Sequence, residues 1–217
     1  MNFATPPAGP CSRSVKLPTG NLADVATRLP AARRRRQLLD AARETFAVRG
    51  FHGTSMDEIA DTAGVTKPVL YQHFRSKREL YLELLDDVGR ELLDAITSAT
   101  AQAGTPRAQV EAGFAAYFRY VADNVSAFRL LFGSGARRDE EFDAAVTRVE
   151  DAIGDAVAAL IEADIDRDHR RLLAAGIVGL AESACRYWVR HELDPDPDVL
   201  ASRMADLAYA GLRGVHR

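Results

Sequence analysis

Cysteine is scarce. Cys11 and Cys185 are the only two in 217 residues, too few for a disulfide scaffold and without zinc-site spacing. Long apolar runs are missing as well. The longest uncharged run in the second half, Leu172 to Ala181, has 10 residues, whereas a membrane-crossing helix takes about 20. Residues 1–32 lack the apolar core of a secretory signal, so the chain reads as a cytoplasmic protein with no membrane partner. Common catalytic and cofactor motifs are absent too: no G-x-S-x-G, H-E-x-x-H, Walker loop or dinucleotide glycine pattern. Asp164-Ile165-Asp166-Arg167-Asp168 begins like a calcium loop. His169 stands where that loop needs glycine, and Ala175 where it needs a bidentate glutamate, so the segment reads as a charged turn. No catalytic residue, metal ligand or cofactor is nominated.

What is present is an ordinary globular balance, 47% hydrophobic and 27% charged, with a hidden partition of charge. Residues 33–80 carry a net +4 and residues 81–217 a net −9. Only the first third therefore suits a polyanionic partner. Five of the nine prolines fall in residues 1–32, which show no helical period and read as a flexible tail. From Arg33 the text turns helical. Leu38, Leu39, Ala42 and Phe46 mark one face of a helix that stops at Gly50. Ser55-Met56-Asp57-Glu58 has the form of a capping box opening a second helix that stops at Gly64. Thr66 is placed to cap a third, with Pro68 in its first turn. Ser76-Lys77-Arg78-Glu79 repeats the capping box and opens a long helix to about Ala101. Helices are then expected from Pro106, around Phe128 to Phe132 (closed by Gly133-Ser134-Gly135), and near 138–163, 168–191 and 197–213, with Asp194-Pro195-Asp196-Pro197 between the last two. No segment reads as a strand, and the fold class is all-α.

Ser55 to Phe74 has the dimensions of a helix-turn-helix. Its second helix offers Lys67, Tyr71, Gln72 and His73 on an element small enough to enter a major groove. Ser55, Tyr71 and Lys77 are placed to hold phosphates beside it. The run Arg33, Arg34, Arg35 and Arg36 opposes the dipole of its own helix, which favours a phosphate or minor-groove contact. Thr66 and Pro68 complete the candidate DNA surface. Corners of this shape also occur in all-α proteins that bind no DNA.

The wording of residues 33–85 narrows the choice. Phe46, Gly50, Ser55, Ile59-Ala60, Ala63-Gly64-Val65, Leu70-Tyr71, His73-Phe74, Lys77 and Leu80 closely resemble the DNA-binding domain of the TetR family of bacterial transcriptional repressors. The resemblance implies a homodimer on a double-stranded operator, one helix-turn-helix domain per subunit (33–78), and a larger domain for ligand binding and dimerisation (79–217). Asp57 and Val69 depart from residues that read bases in the family's founding member, so the operator is not transferable.

Small residues along 168–191, with apolar ones along 197–213, suit self-association through the last two helices. A candidate apolar ligand set comprises Phe114, Tyr117, Phe118, Val121, Phe128, Phe132, Val149, Ile153, Val157 and Trp188, although residues at such spacing are often plain core. Lys67 to Phe74, Phe128-Arg129-Leu130-Leu131-Phe132 and Cys185-Arg186-Tyr187-Trp188 also look like the actinobacterial TetR-type regulators of fatty-acid synthesis. That subgroup implies a long-chain acyl-CoA or fatty-acid effector. The long helix from Ser76 spans head and pocket, and a small swing of it would respace the two heads. The other reading of the residues is a helical adaptor that binds protein through its acidic domain, without specific DNA affinity.

Overall fold

The computed structural model describes residues 30–133, 138–192 and 196–214. The proline-rich tail up to residue 29, Cys11, Ser134-Gly135 and Asp194-Pro195 lie outside the described residues. Within them the chain is helical throughout: α1 (Ala31–Gly53), α2 (Met56–Thr62), α3 (Lys67–His73), α4 (Lys77–Ala101), α5 (Pro106–Asp123), α6 (Val125–Phe132), α7 (Glu140–Leu160), α8 (Arg167–Arg190) and α9 (Pro197–Leu212). The first helix starts at Ala31, ahead of the Arg33 boundary, because Pro30 occupies its N-cap and accepts from the Arg34 amide at 3.0 Å.

Local chemistry sets most helix ends. Ser55 and Glu58 close a reciprocal capping box: the hydroxyl accepts from the Glu58 amide, and the carboxylate accepts from the Ser55 amide. Ser76 caps α4 in the same way, but Glu79 reaches one residue further back, to the Arg75 amide at 2.7 Å. Thr105, Asp139, Asp166 and Asp196 cap α5, α7, α8 and α9. The acidic segment around Asp166 is thus a helix start. Gly50 and Gly64 have φ of 69° and 64°. That left-handed conformation breaks α1 at Gly50 and turns the chain from α2 into α3.

The core is continuous from head to far end. Phe46, Ile59, Leu70, Phe74 and Leu80 are buried where α1, α2, α3 and α4 meet. Tyr81 and Phe142 (ring centroids 4.6 Å apart) and Phe51 continue that core toward α7. Burial pushes the Tyr81 phenol up to about 12. In the larger domain α5 packs between α4 and α9, α7 between α4 and α8, and α6 lies against α1. Gly89 lets α7 approach α4: a β-carbon there would stand 2.3 Å from a Val149 methyl.

Within the protomer the last two helices make few contacts with each other. α9 lies chiefly along α5 and only touches α8. α8 buries Ala174, Val178, Ala181 and Cys185 and leaves Leu172 (71% exposed), Gly176, Gly179 and Tyr187 outward. Burial raises the Cys185 thiol far above its ordinary range, so it stays protonated. One 18-residue window of α8 has a mean hydropathy of 1.2, long and apolar enough by composition to cross a membrane. Run length alone did not reveal this. In the fold that helix forms one wall of the bundle.

Candidate functional site

The outward face of α3 presents Thr66, Lys67, Pro68, Tyr71 (43% exposed) and Gln72, while Leu70 and Phe74 anchor its inner face at 0% exposure. His73 is half-buried and its carbonyl accepts from Arg35 at 2.9 Å. Thr66 sits at the N-cap, yet its side chain makes no capping hydrogen bond. The residue is exposed, and its hydroxyl is not used to cap the helix. Lys67 reaches across to Asp57 on α2 at 2.8 Å. Hydrogen bonding to Asp57 and its charge raise the lysine pKa.

Four of the residues nominated for DNA are committed to the fold instead. Lys77 donates to the Phe51 and Thr54 carbonyls at 2.7 and 2.8 Å, with its ammonium 4.4 Å from the centre of the Phe51 ring. It pins the turn after α1 to the start of α4 and is not placed as a phosphate clamp. Arg35 pairs with Glu83 through two nitrogens and stacks over Phe74. Arg36 pairs with Asp40, Asp87 and Glu91. The dipole penalty of the arginine run is thus offset within the protein for this half of it. Ser55 has both its hydroxyl and its amide engaged in the capping box. Arg33 remains exposed and Arg34 half-exposed, bonded to Gln37 on its own helix. The sequence reading passed over Arg75, which is exposed just beyond α3 and supplies cationic charge beside it. Its position in the basic segment was the available signal.

Between head and larger domain lies a polar hub. Glu91 on α4 accepts from Arg43 at 2.9 Å, Arg36 at 2.7 Å and the Tyr120 hydroxyl at 3.0 Å. Burial alone raises the Glu91 carboxyl, but the two guanidiniums outweigh it and leave its pKa lowered. Burial, aided by the Glu91 charge, raises the Tyr120 phenol and keeps it a donor. Arg78 adds a second tie, bonding Asp139 and Glu141 at the start of α7.

A cavity of about 240 Å³ opens at the far end of the larger domain, where α4, α5, α7, α8 and α9 converge. Of the candidate ligand residues, Phe114, Tyr117, Ile153 and Val157 line it. Phe118, Val121, Phe128, Phe132, Val149 and Trp188 do not. Phe118 and Trp188 pack together at 6.0 Å, Phe128 and Phe132 at 5.1 Å, Val149 abuts Gly89, and Val121 is buried, so these six belong to packing outside the cavity lining. The lining the sequence reading missed includes Ile96, Thr100, Val110, Ile177, Val178 and Tyr209. Each lies on a helix already recognised as amphipathic, but nothing in the text shows which ends converge. Tyr117 is deeply buried with an unpartnered hydroxyl, and its pKa is pushed well up by that burial. Glu162 and Arg213 contribute exposed charges to the lining.

Comparison with known proteins agrees with this layout. Residues 38–84 match the family model described as bacterial regulatory proteins, tetR family, and residues 106–211 match a tetracyclin repressor-like C-terminal domain. The chain is 37% identical over 190 residues to the HTH-type transcriptional activator FasR of Mycolicibacterium smegmatis, covering 87% of each. A solved TetR-like transcriptional regulator from Rhodococcus sp. RHA1 superposes with a TM-score of 0.71 at 30% identity, over 86% of this chain and 100% of that one. The regulator FadR from Bacillus subtilis, solved in complex with stearoyl-CoA, shares the fold at a TM-score of 0.69 and 18% identity, over 80% and 96% of the two chains. A head built around an outward α3, a hollow helical domain behind it, and matches to both parts together make this chain a member of the TetR family of DNA-binding transcriptional regulators rather than an enzyme.

Proposed function

We propose that the chain acts in the cytoplasm as a homodimeric, sequence-specific regulator whose affinity for a double-stranded operator is set by a hydrophobic effector. The observation that carries this reading is the pairing of a rigidly backed, exposed α3 face with a separate cavity at the other end of α4. The head extends from 33 to about 78 and the effector and dimer domain over the remainder. DNA contacts come from Thr66, Lys67, Pro68, Tyr71 and Gln72, with Arg33, Arg34 and Arg75 on phosphates. The dimer forms through α8 and α9. Their outward faces carry Leu172, Val199 and Leu207, and a β-carbon added at Gly176 or Gly179 meets nothing within 4 Å inside the protomer. Close approach there is left for a second copy.

A long-chain acyl-CoA or fatty acid is the proposed effector class. The lining is mostly apolar, and Arg213 supplies a cation for a carboxylate or phosphate. The B. subtilis complex with stearoyl-CoA supports the class by likeness of fold. Repression is the sequence expectation, while the M. smegmatis relative is named an activator. The sign follows from where the operator lies relative to the promoter, and we propose repression for operators that overlap it. Selection of genomic fragments by the purified chain, followed by footprinting, should yield a palindrome with half-sites about 34 Å apart. Long-chain acyl-CoAs should raise the melting temperature and shift operator affinity, and Val157→Trp should abolish both effects. Sequence-indifferent DNA binding overturns the regulator reading. A thermal shift from small polar metabolites alone overturns the effector class.

A further inference from the structure

Asp57 is an anomaly on this surface. It stands exposed in the first turn of α2, beside the face of α3 that meets DNA, and an acidic group there opposes a polyanion. Helix stability does not require it, because Glu58 already completes the capping box of α2. Its carboxylate instead holds the ammonium of Lys67, at 2.8 Å through one oxygen and 3.1 Å through the other. Lys67 is the only lysine in α3, and Asp57 fixes where its charge sits.

The pair has a definite hydrogen-bonding remainder. The ammonium keeps N–H groups that the carboxylate does not use, and the carboxylate keeps lone pairs facing outward. Donor and acceptor sit side by side, about one hydrogen bond apart. In the major groove a G·C pair presents the complement: guanine O6 and N7 accept, and the cytosine N4 amino group donates. O6 and N4 of one base pair are themselves hydrogen-bonded, so they too lie about 2.9 Å apart. An A·T pair with its purine on the same strand places an amino donor where the ammonium needs an acceptor; the reversed T·A pair offers O4 and N6 in the matching order but puts a C5-methyl where guanine N7 would take a second N–H of Lys67.

On the reading of the chain as an operator-binding protein, we propose that Asp57 and Lys67 act as one unit that reads a single G·C base pair in each half-site. Lys67 donates to guanine and Asp57 accepts from cytosine. Away from that base pair the Asp57 charge weakens binding, so the pair restricts sequence rather than adding general affinity.

The test is selection from a duplex library with a randomised half-site, using the full chain, Asp57→Ala, Asp57→Asn and Lys67→Ala at the same salt concentration. The wild type should enrich G·C at one position per half-site. Asp57→Ala should lose that preference by about tenfold to a hundredfold, keep its preferences elsewhere and bind unrelated DNA more tightly. Asp57→Asn should move the preference toward A·T, since an amide matches adenine N6 and N7. Lys67→Ala should lose the same base pair. All four proteins should melt alike, because both side chains are exposed. An Asp57→Ala selection identical to wild type at every position overturns the pair alone. So does a Lys67→Ala protein that is weaker on every sequence yet unchanged in preference. A wild type that enriches no site overturns both this proposal and the operator reading it rests on.

Discussion

The head and the larger domain are held together by opposite means. In the head, short helices are fixed by polar groups: a capping box on α2, Lys77 between two carbonyls, and Arg35 clasping Glu83 over Phe74. Behind it, long helices are fixed by apolar packing that is dense near Phe118 and Val149 and hollow near Phe114 and Tyr209. A seven-residue helix has too little apolar face to hold an angle by packing alone, so α2 and α3 need directional bonds. A helix of 20 residues needs few, and its packing tolerates a cavity. The head is therefore the stiff part that must match an external lattice, and the larger domain is the part with room to change.

The following perturbations sharpen this contrast, in falling order of effect. Arg43 is 8% exposed and shares Glu91 with Arg36 and Tyr120. Arg43→Met removes the most buried of the partners of Glu91, leaving Arg36 and Tyr120, and should lower unfolding free energy in urea by about 3 kcal/mol. The same hub sets a pH dependence. The Glu91 pKa is lowered by folding, so its contribution is complete above the unfolded value of about 4.3 and vanishes as pH falls through the lower folded one. Glu91→Gln should flatten that acid limb. Gly89→Ala drives a methyl into Val149 and should destabilise by about 2 kcal/mol, measured by the same denaturation. Its effect should fall on effector affinity as well, since α4 and α7 both line the cavity.

Ser55→Ala removes the cap of α2 and should cost about 1 kcal/mol, with operator affinity falling alongside stability. The smallest effect on stability separates the arginines. Replacing Arg33 and Arg34 by Gln should leave the melting curve unchanged while reducing the salt dependence of DNA binding by about 0.9 per phosphate lost. Replacing Arg35 and Arg36 should lower the melting temperature instead. If both double variants change the salt slope equally, the division between structural and DNA-facing arginines is wrong.

The same contrast explains what could be read from the sequence. Ser55, Glu58, Gly64 and Pro68 act on neighbours within a few residues, so the head's helices and turns were legible. The outward set on α3 followed from them. The roles of Lys77 and Arg35 were not, because their partners are 26 and 48 residues away, and a basic side chain near a reading helix looks alike whether it faces phosphate or carbonyl. In the larger domain the helices were legible, but only four of ten candidate ligand residues reach the cavity. Amphipathic spacing identifies an inward face. It does not say how far along that face the packing opens.

The carbonyl cage around Lys77 also governs reactivity toward amine-selective reagents. The chain has three lysines, Lys16, Lys67 and Lys77. Lys77 has two of its ammonium protons engaged and is half-buried, whereas Lys67 is exposed. Among the described residues lysine acylation should therefore fall chiefly on exposed Lys67 at the start of α3, slowed by its pairing with Asp57. On the proposed reading of α3, protection of that lysine by DNA is a footprint that mass spectrometry can follow at one site.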